Sequence, residues 1–112
     1  MQKGYLKKNE YQALLEFKEK LSQKMAGEIL ELKLFGSKAR GDSYKESDID
    51  ILIVLKRKTK EKEDFILDLT GELLRKYRVL ISPIIFSKKE VLKYKKIPSV
   101  FLQIVEREAM PL

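Results

Sequence analysis

The chain has 112 residues with neither cysteine nor histidine, which excludes disulfide staples, thiol catalysis, thiolate metal sites and the usual imidazole ligands of zinc. Any metal it holds must be a hard ion bound through oxygen. Lys and Arg number 24 against 17 Asp and Glu, a net charge of +7; the surplus suits an anionic partner, although scattered lysine and glutamate also solvate the surfaces of heat-adapted proteins.

The opening MQKGYLKKNE lacks the apolar stretch of a signal peptide, and the longest wholly apolar run, Ile51 to Leu55, falls far short of the roughly 20 residues of a membrane span. A soluble, cytoplasmic protein without membrane contact is expected. From Asn9 to about Ala26, Tyr11, Leu14, Leu15, Leu21 and Met25 recur at helical spacing and Gly27 offers a stop. Ile29 to Phe35 alternates, Leu30, Leu32 and Leu34 against Glu31 and Lys33, which predicts a strand with one buried face ending at Gly36. Ile49 to Leu55 is β-branched and apolar on both faces apart from Asp50, the pattern of a central strand.

Phe65, Leu69, Leu73 and Tyr77 define a second amphipathic helix over about Glu61 to Tyr77, with Gly71 a weak point inside it. Val79 to Phe86 reads as a third strand, and Pro83 within it requires an edge position or a bulge. Ser87 and Glu90 have the spacing of a capping box and open a short helix to about Tyr94. A last helix is expected from Val100 to about Glu108, its Phe101, Ile104 and Val105 facing the core or a partner. The order is that of a small α+β (mixed α/β) domain spanning residues 1–112, a three- to four-stranded mixed sheet with helices mainly on one face.

In FGSKARGDSYKESDIDILIVL, Asp48 and Asp50 point to the same side of a strand, Cα atoms about 6.5–7 Å apart. Like charges so placed are costly unless a cation lies between them. Magnesium suits such a pair, since it takes a few carboxylate oxygens and keeps other positions for water and phosphate; manganese is the other candidate. A bare Asp-x-Asp also fits a turn cap followed by an exposed strand end. Gly36 permits a tight backbone path, Ser37 supplies a hydroxyl, and free N–H groups at the following turn suit a triphosphate. Arg40 can reach the same phosphates, or pair with Asp42 or Glu46.

Taken together, Gly36-Ser37-x-Ala39-Arg40-Gly41, five residues, and Ser47-Asp48-Ile49-Asp50 before an apolar strand resemble the signature of the DNA polymerase β-like nucleotidyltransferase superfamily, and more narrowly its minimal nucleotidyltransferases. The resemblance implies transfer of a nucleoside monophosphate, AMP from ATP or another NTP, to a hydroxyl with release of pyrophosphate. It implies that Gly36 and Ser37 hold phosphates, that Arg40 touches substrate or braces the loop, and that Asp48 and Asp50 bind the divalent metals and carry catalysis. It also implies a helical HEPN-domain toxin as partner, silenced by adenylylation or by complex formation alone. Ser82 stands where the family usually has a third carboxylate, and a hydroxyl cannot take up a proton as a carboxylate does. Asp68 and Glu72 are the candidate substitutes, though their spacing suits an exposed helical face. No RNA-binding motif or aromatic stacking pattern is present, so nucleic acid is not an expected partner; self-association is left open.

Overall fold

The computed structural model describes residues 6–35, 48–96 and 110–111. Among these the elements run α1 (Lys8–Lys24), β1 (Ile29–Phe35), β2 (Ile49–Leu55), α2 (Lys60–Tyr77), β3 (Ile81–Ser87), α3 (Lys88–Lys96) and β4 (Met110–Pro111). The helix expected over Val100 to Glu108 lies outside the described residues. The sheet has the order β3-β2-β1-β4, with β2 antiparallel to β1 and parallel to β3.

In α1 the Glu10 carboxylate accepts the Lys7 backbone N–H at 2.9 Å, closing the first turn, and Gly27 at φ 80° turns the chain toward β1. Ala13, Leu14, Phe17 and Leu21 are buried. Leu15, expected on the apolar face, is 42% exposed: one position along a helix is about 100° around its axis, and Leu14 already faces the sheet.

β1 also departs from simple alternation. Ile29 pairs with Leu55, but Glu31 pairs with Val54, so Leu30 is an extra residue without a partner, a β-bulge. The bulge lets Ile29, Leu32 and Leu34 all pack on the core, whereas Leu30, expected beside Leu32 and Leu34, is 41% exposed. β2 is central as expected, buried throughout except at Asp50. Met110–Pro111 adds β4 to β1 opposite Lys33 and Leu34, too short a strand to leave a periodic signal.

β3 lies at the sheet edge, which accommodates Pro83. Ile49 N–H donates to Leu80 O at 2.9 Å; in a parallel ladder the even-numbered residues of β3 then bond toward β2, and the Pro83 nitrogen faces away from it. The capping box forms as read: Glu90 N–H donates to Ser87 Oγ at 3.1 Å, and Ser87 N–H to Glu90 Oε1 at 3.0 Å.

α1 and α2 pack on one face of the sheet, where Phe17, Leu14 and Leu21 meet Ile49, Ile51, Ile53 and Leu55 from β2 and Ile66, Leu69 and Leu73 from α2. The second face carries α3, with Val91 against Leu52, Val54, Ile84 and Phe86. No described helix is long and apolar enough to cross a membrane.

Glu16 ties α1 to α2. Its Oε1 accepts from Lys76 Nζ at 2.6 Å and from Tyr77 Oη at 2.8 Å, and its Oε2 lies 3.1 Å from Lys20 Nζ. These contacts, led by Lys76, hold the carboxyl at about 2, below its ordinary 4.5. A carboxyl depressed by folding stabilises above its unfolded pKa and loses that contribution as pH falls through the folded one. Glu16→Gln is therefore expected to be less stable than the parent by a constant margin above pH 4.5, a margin that closes between pH 4.5 and about 2. Urea midpoints taken across that range test this; a margin independent of pH would exclude the ionic origin.

Gly71 lies in the middle of α2, and a Cβ there would meet only Arg75 Nη1, at an ordinary 3.6 Å. Gly71→Ala should stabilise by about 0.5–1 kcal/mol through the lost freedom of the unfolded chain. A lowered thermal midpoint would mean that Arg75 cannot move aside.

Candidate active site

Successive side chains of β2 point to opposite faces. Ile49, Ile51, Ile53 and Leu55 enter the core beneath α1 and α2, and Leu52 and Val54 face α3. Asp50 belongs with Leu52 and Val54. Asp48 shares that side, for exposure alternates along exposed Asp48, buried Ile49, half-buried Asp50 and buried Ile51. Asp48 and Asp50 thus stand two residues apart where β2 begins, at the opposite end of the strand from the start of α3.

The sheet register surrounds them. Phe35 at the end of β1 and Ser82 on β3 are the Cα partners of Asp50 on either side, and Ser82, paired with Asp50 across the parallel ladder, shares its face. Ser82, half-buried, is therefore the neighbour of Asp50 across the ladder. Gly36 follows Phe35 directly in sequence, but Gly36, Ser37 and Arg40 lie outside the described residues.

Asp68 and Glu72 do not join the pair. Both belong to α2, which packs on the other face of the sheet, and Glu72 Oε1 accepts from Lys20 Nζ at 2.7 Å. Among the described residues no three or more His, Cys, Asp or Glu side chains gather as a metal site. The oxygens of Asp48 and Asp50 are hard donors and the chain offers no thiolate or imidazole, a donor set that fits magnesium with water and phosphate completing its shell. The clefts lined by described residues, between α1 and β1 and between α1 and α2, do not include either aspartate.

A family model for the nucleotidyltransferase domain matches residues 14–108. The chain belongs to the nucleotidyltransferase domain family. Two relatives from Methanocaldococcus jannaschii bear the names "Putative protein adenylyltransferase MJ0604" and "Putative protein adenylyltransferase MJ0141". The first is 46% identical over 81 residues, covering 72% of this chain and 77% of the relative. The second is 40% identical over 74 residues, covering 65% and 75%.

The nucleotidyltransferase fold is also found in solved structures. A chain named "putative minimal nucleotidyltransferase" superposes with a TM-score of 0.59 at 21% identity, covering 91% of this chain and 94% of that one. A chain from a crystal structure of the toxin-antitoxin MntA-HpeT gives 0.55 at 19% identity, covering 88% and 70%. Another, from a toxin-antitoxin with AMP-PNP, gives 0.54 at 18% identity, covering 86% and 69%. At such identities the likeness establishes the fold, which is the polymerase β-like one read from the two aspartates and the glycine-serine turn.

Proposed function

We propose that this nucleotidyltransferase, taken as one domain over residues 1–112, transfers AMP from ATP to a hydroxyl of a protein partner with the help of magnesium. We further propose that it serves as the antitoxin of a pair whose other member is a helical HEPN-domain protein. The observation that carries the reading is Asp50 on the face of β2 away from α1 and α2, with exposed Asp48 two residues before it. The names of the two M. jannaschii relatives support a protein acceptor, and the toxin-antitoxin likeness supports the pairing.

In the reaction the acceptor oxygen bonds to the α-phosphorus of ATP as the bridge to the β-phosphate breaks, releasing pyrophosphate and the hydroxyl proton. Magnesium, when bound, neutralises phosphate charge and favours the deprotonated acceptor oxygen. Asp48 and Asp50 would hold it, their backbone fixed by the ladders from β2 to β1 and β3. Gly36, Ser37 and Arg40 would bind the phosphates. Most of the rate enhancement in such a site comes from positioning and charge stabilisation.

One observation favours a second reading. Ser82 beside Asp50 cannot act as a general base, which suits a module that keeps a nucleotide cradle and neutralises its partner by complex formation alone. ATP labelled at the α or the γ phosphate separates the two. Label entering protein from the α position but not the γ, in source lysate with magnesium, supports AMP transfer. No α-label transfer by a preparation that still binds ATP and its partner leaves the neutraliser.

A further inference from the structure

We propose that the outer face of α2 is self-complementary and that two copies of this chain pair through it as antiparallel helices. Leu67 and Leu74 point outward from α2, 54% and 41% exposed. Glu63, Leu67, Gly71 and Leu74 follow one another at steps of four, four and three residues, the spacing that keeps positions on one face of a helix. Arg78, whose N–H caps the helix by donating to Leu74 O at 2.9 Å, continues the face by one turn. α1 does not cover it, because α2 reaches α1 through Glu72 and Lys76, which lie on the far side of the helix from Leu67.

The order of charge along this face selects a second copy as its occupant. Glu63 and Asp64 stand at one end, Arg75 and Arg78 at the other. Asp64, Arg75 and Arg78 are exposed and make no ion pair among the described residues. Glu63 has Lys58 at 3.9 Å, and that lysine lies closer to Glu90, at 3.2 Å. A two-fold axis crossing α2 midway between Thr70 and Gly71 is equally distant in sequence from Leu67 and Leu74, and from Glu63 and Arg78. It sets Leu67 of each copy against Leu74 of the other, and each acidic end against a basic end. A uniformly acidic or basic partner would meet like charge at one end, as would a second copy laid parallel. Antiparallel pairing also opposes the two helix dipoles favourably.

Gly71 supports the same axis. A Cβ there would touch only the Arg75 side chain, so no packing among the described residues requires the open space. Mid-helix glycine costs about 1 kcal/mol against alanine, but at a two-fold crossing it lets the helices approach closely, since the side chains at the contact set the distance between axes. The chain carries +7 overall, so most approaches of two copies are repulsive, whereas along this face the two acids balance the two arginines. Lys60, the first residue of α2, falls past the end of the opposing helix. The contact is the same patch on both copies and therefore closes at two. α2 packs on the sheet face away from Asp50, so the pairing covers neither aspartate. One helix face per copy lies at the low end of protein interfaces, below about 1,200 Å² in total, and a weak dimer is expected, with a Kd of about 10–100 μM.

Sedimentation velocity of the full chain, at concentrations bracketing that range and without nucleotide or metal, measures the association. The expected result is a reversible monomer–dimer equilibrium that Leu67→Glu abolishes and that Leu15→Glu, at an exposed leucine of α1, leaves intact. Glu63→Arg and Arg78→Glu should each weaken it by about tenfold or more, because each sets like charges against one another at both ends of the contact. An equimolar mixture of these two variants should associate again, since the reversed charge of each then faces an opposite one on the other. Circular dichroism melts of dilute samples verify that every variant is folded. A parent that stays monomeric throughout, equal losses in Leu67→Glu and Leu15→Glu, or a mixture that associates no better than its two components would overturn the proposal; the first outcome would assign the face to a different protein. With no ATP in the assay, its failure leaves AMP transfer untouched, and failure of α-label transfer leaves the dimer standing.

Discussion

Asp48→Asn/Asp50→Asn is expected to lower AMP transfer by about 10²-fold or more while the protein stays folded. Asparagine keeps the size and one oxygen of aspartate but removes its charge, so a divalent ion loses the anionic ligands that hold it. Neither side chain belongs to the core: Asp48 is exposed and Asp50 half-buried, and the buried neighbours Ile49 and Ile51 are untouched. Initial rates with α-labelled ATP, beside a cooperative thermal melt of the same preparation, measure both parts. Transfer at the parent rate by a folded double variant would remove the pair from the reaction.

The largest effect on stability is expected at Phe17. Its ring is fully buried, on the face of α1 that meets β2 and α2. Phe17→Ala removes the apolar contact and leaves a cavity that neighbouring elements cannot close without moving, and such changes typically cost about 3–5 kcal/mol. Total stabilities of about 5–15 kcal/mol are usual, so the variant should sit close to the edge of folding. Urea unfolding at constant slope gives the value. A loss below about 1 kcal/mol would mean that α1 settles onto the sheet without the ring, contrary to the close packing seen here.

Local signals carried most of the fold. β2 announced itself by β-branched residues on both faces, α2 by its apolar spacing, and α3 by the serine and glutamate that do form a capping box. Pro83 narrowed β3 to an edge position or a bulge, because a missing donor is a local fact with only a few structural solutions, and the edge is the one taken. Leu30 was misread because alternation in sequence cannot reveal that one residue has been squeezed out of the ladder. β4 escaped because two residues have no period.

The site divides along the same line. That Asp50 opens a central strand, with Asp48 two residues before it, was legible from the apolar run that follows. That Ser82 is the immediate neighbour of Asp50 depends on a register between strands separated by a helix, which no local pattern sets. The exclusion of Asp68 and Glu72 likewise needed the knowledge of which face α2 covers.

Pro83 has one further consequence. The rim of a sheet is a template on which a stray strand from another molecule can nucleate, and successive additions lead to insoluble stacks. At the outer rim of β3, the edge strand among the described residues, the ring of Pro83 removes the donor at the third of the strand's seven residues, interrupting the template that an added strand would need. The same residue that confines β3 to the margin thus guards that margin against runaway association while the protein accumulates.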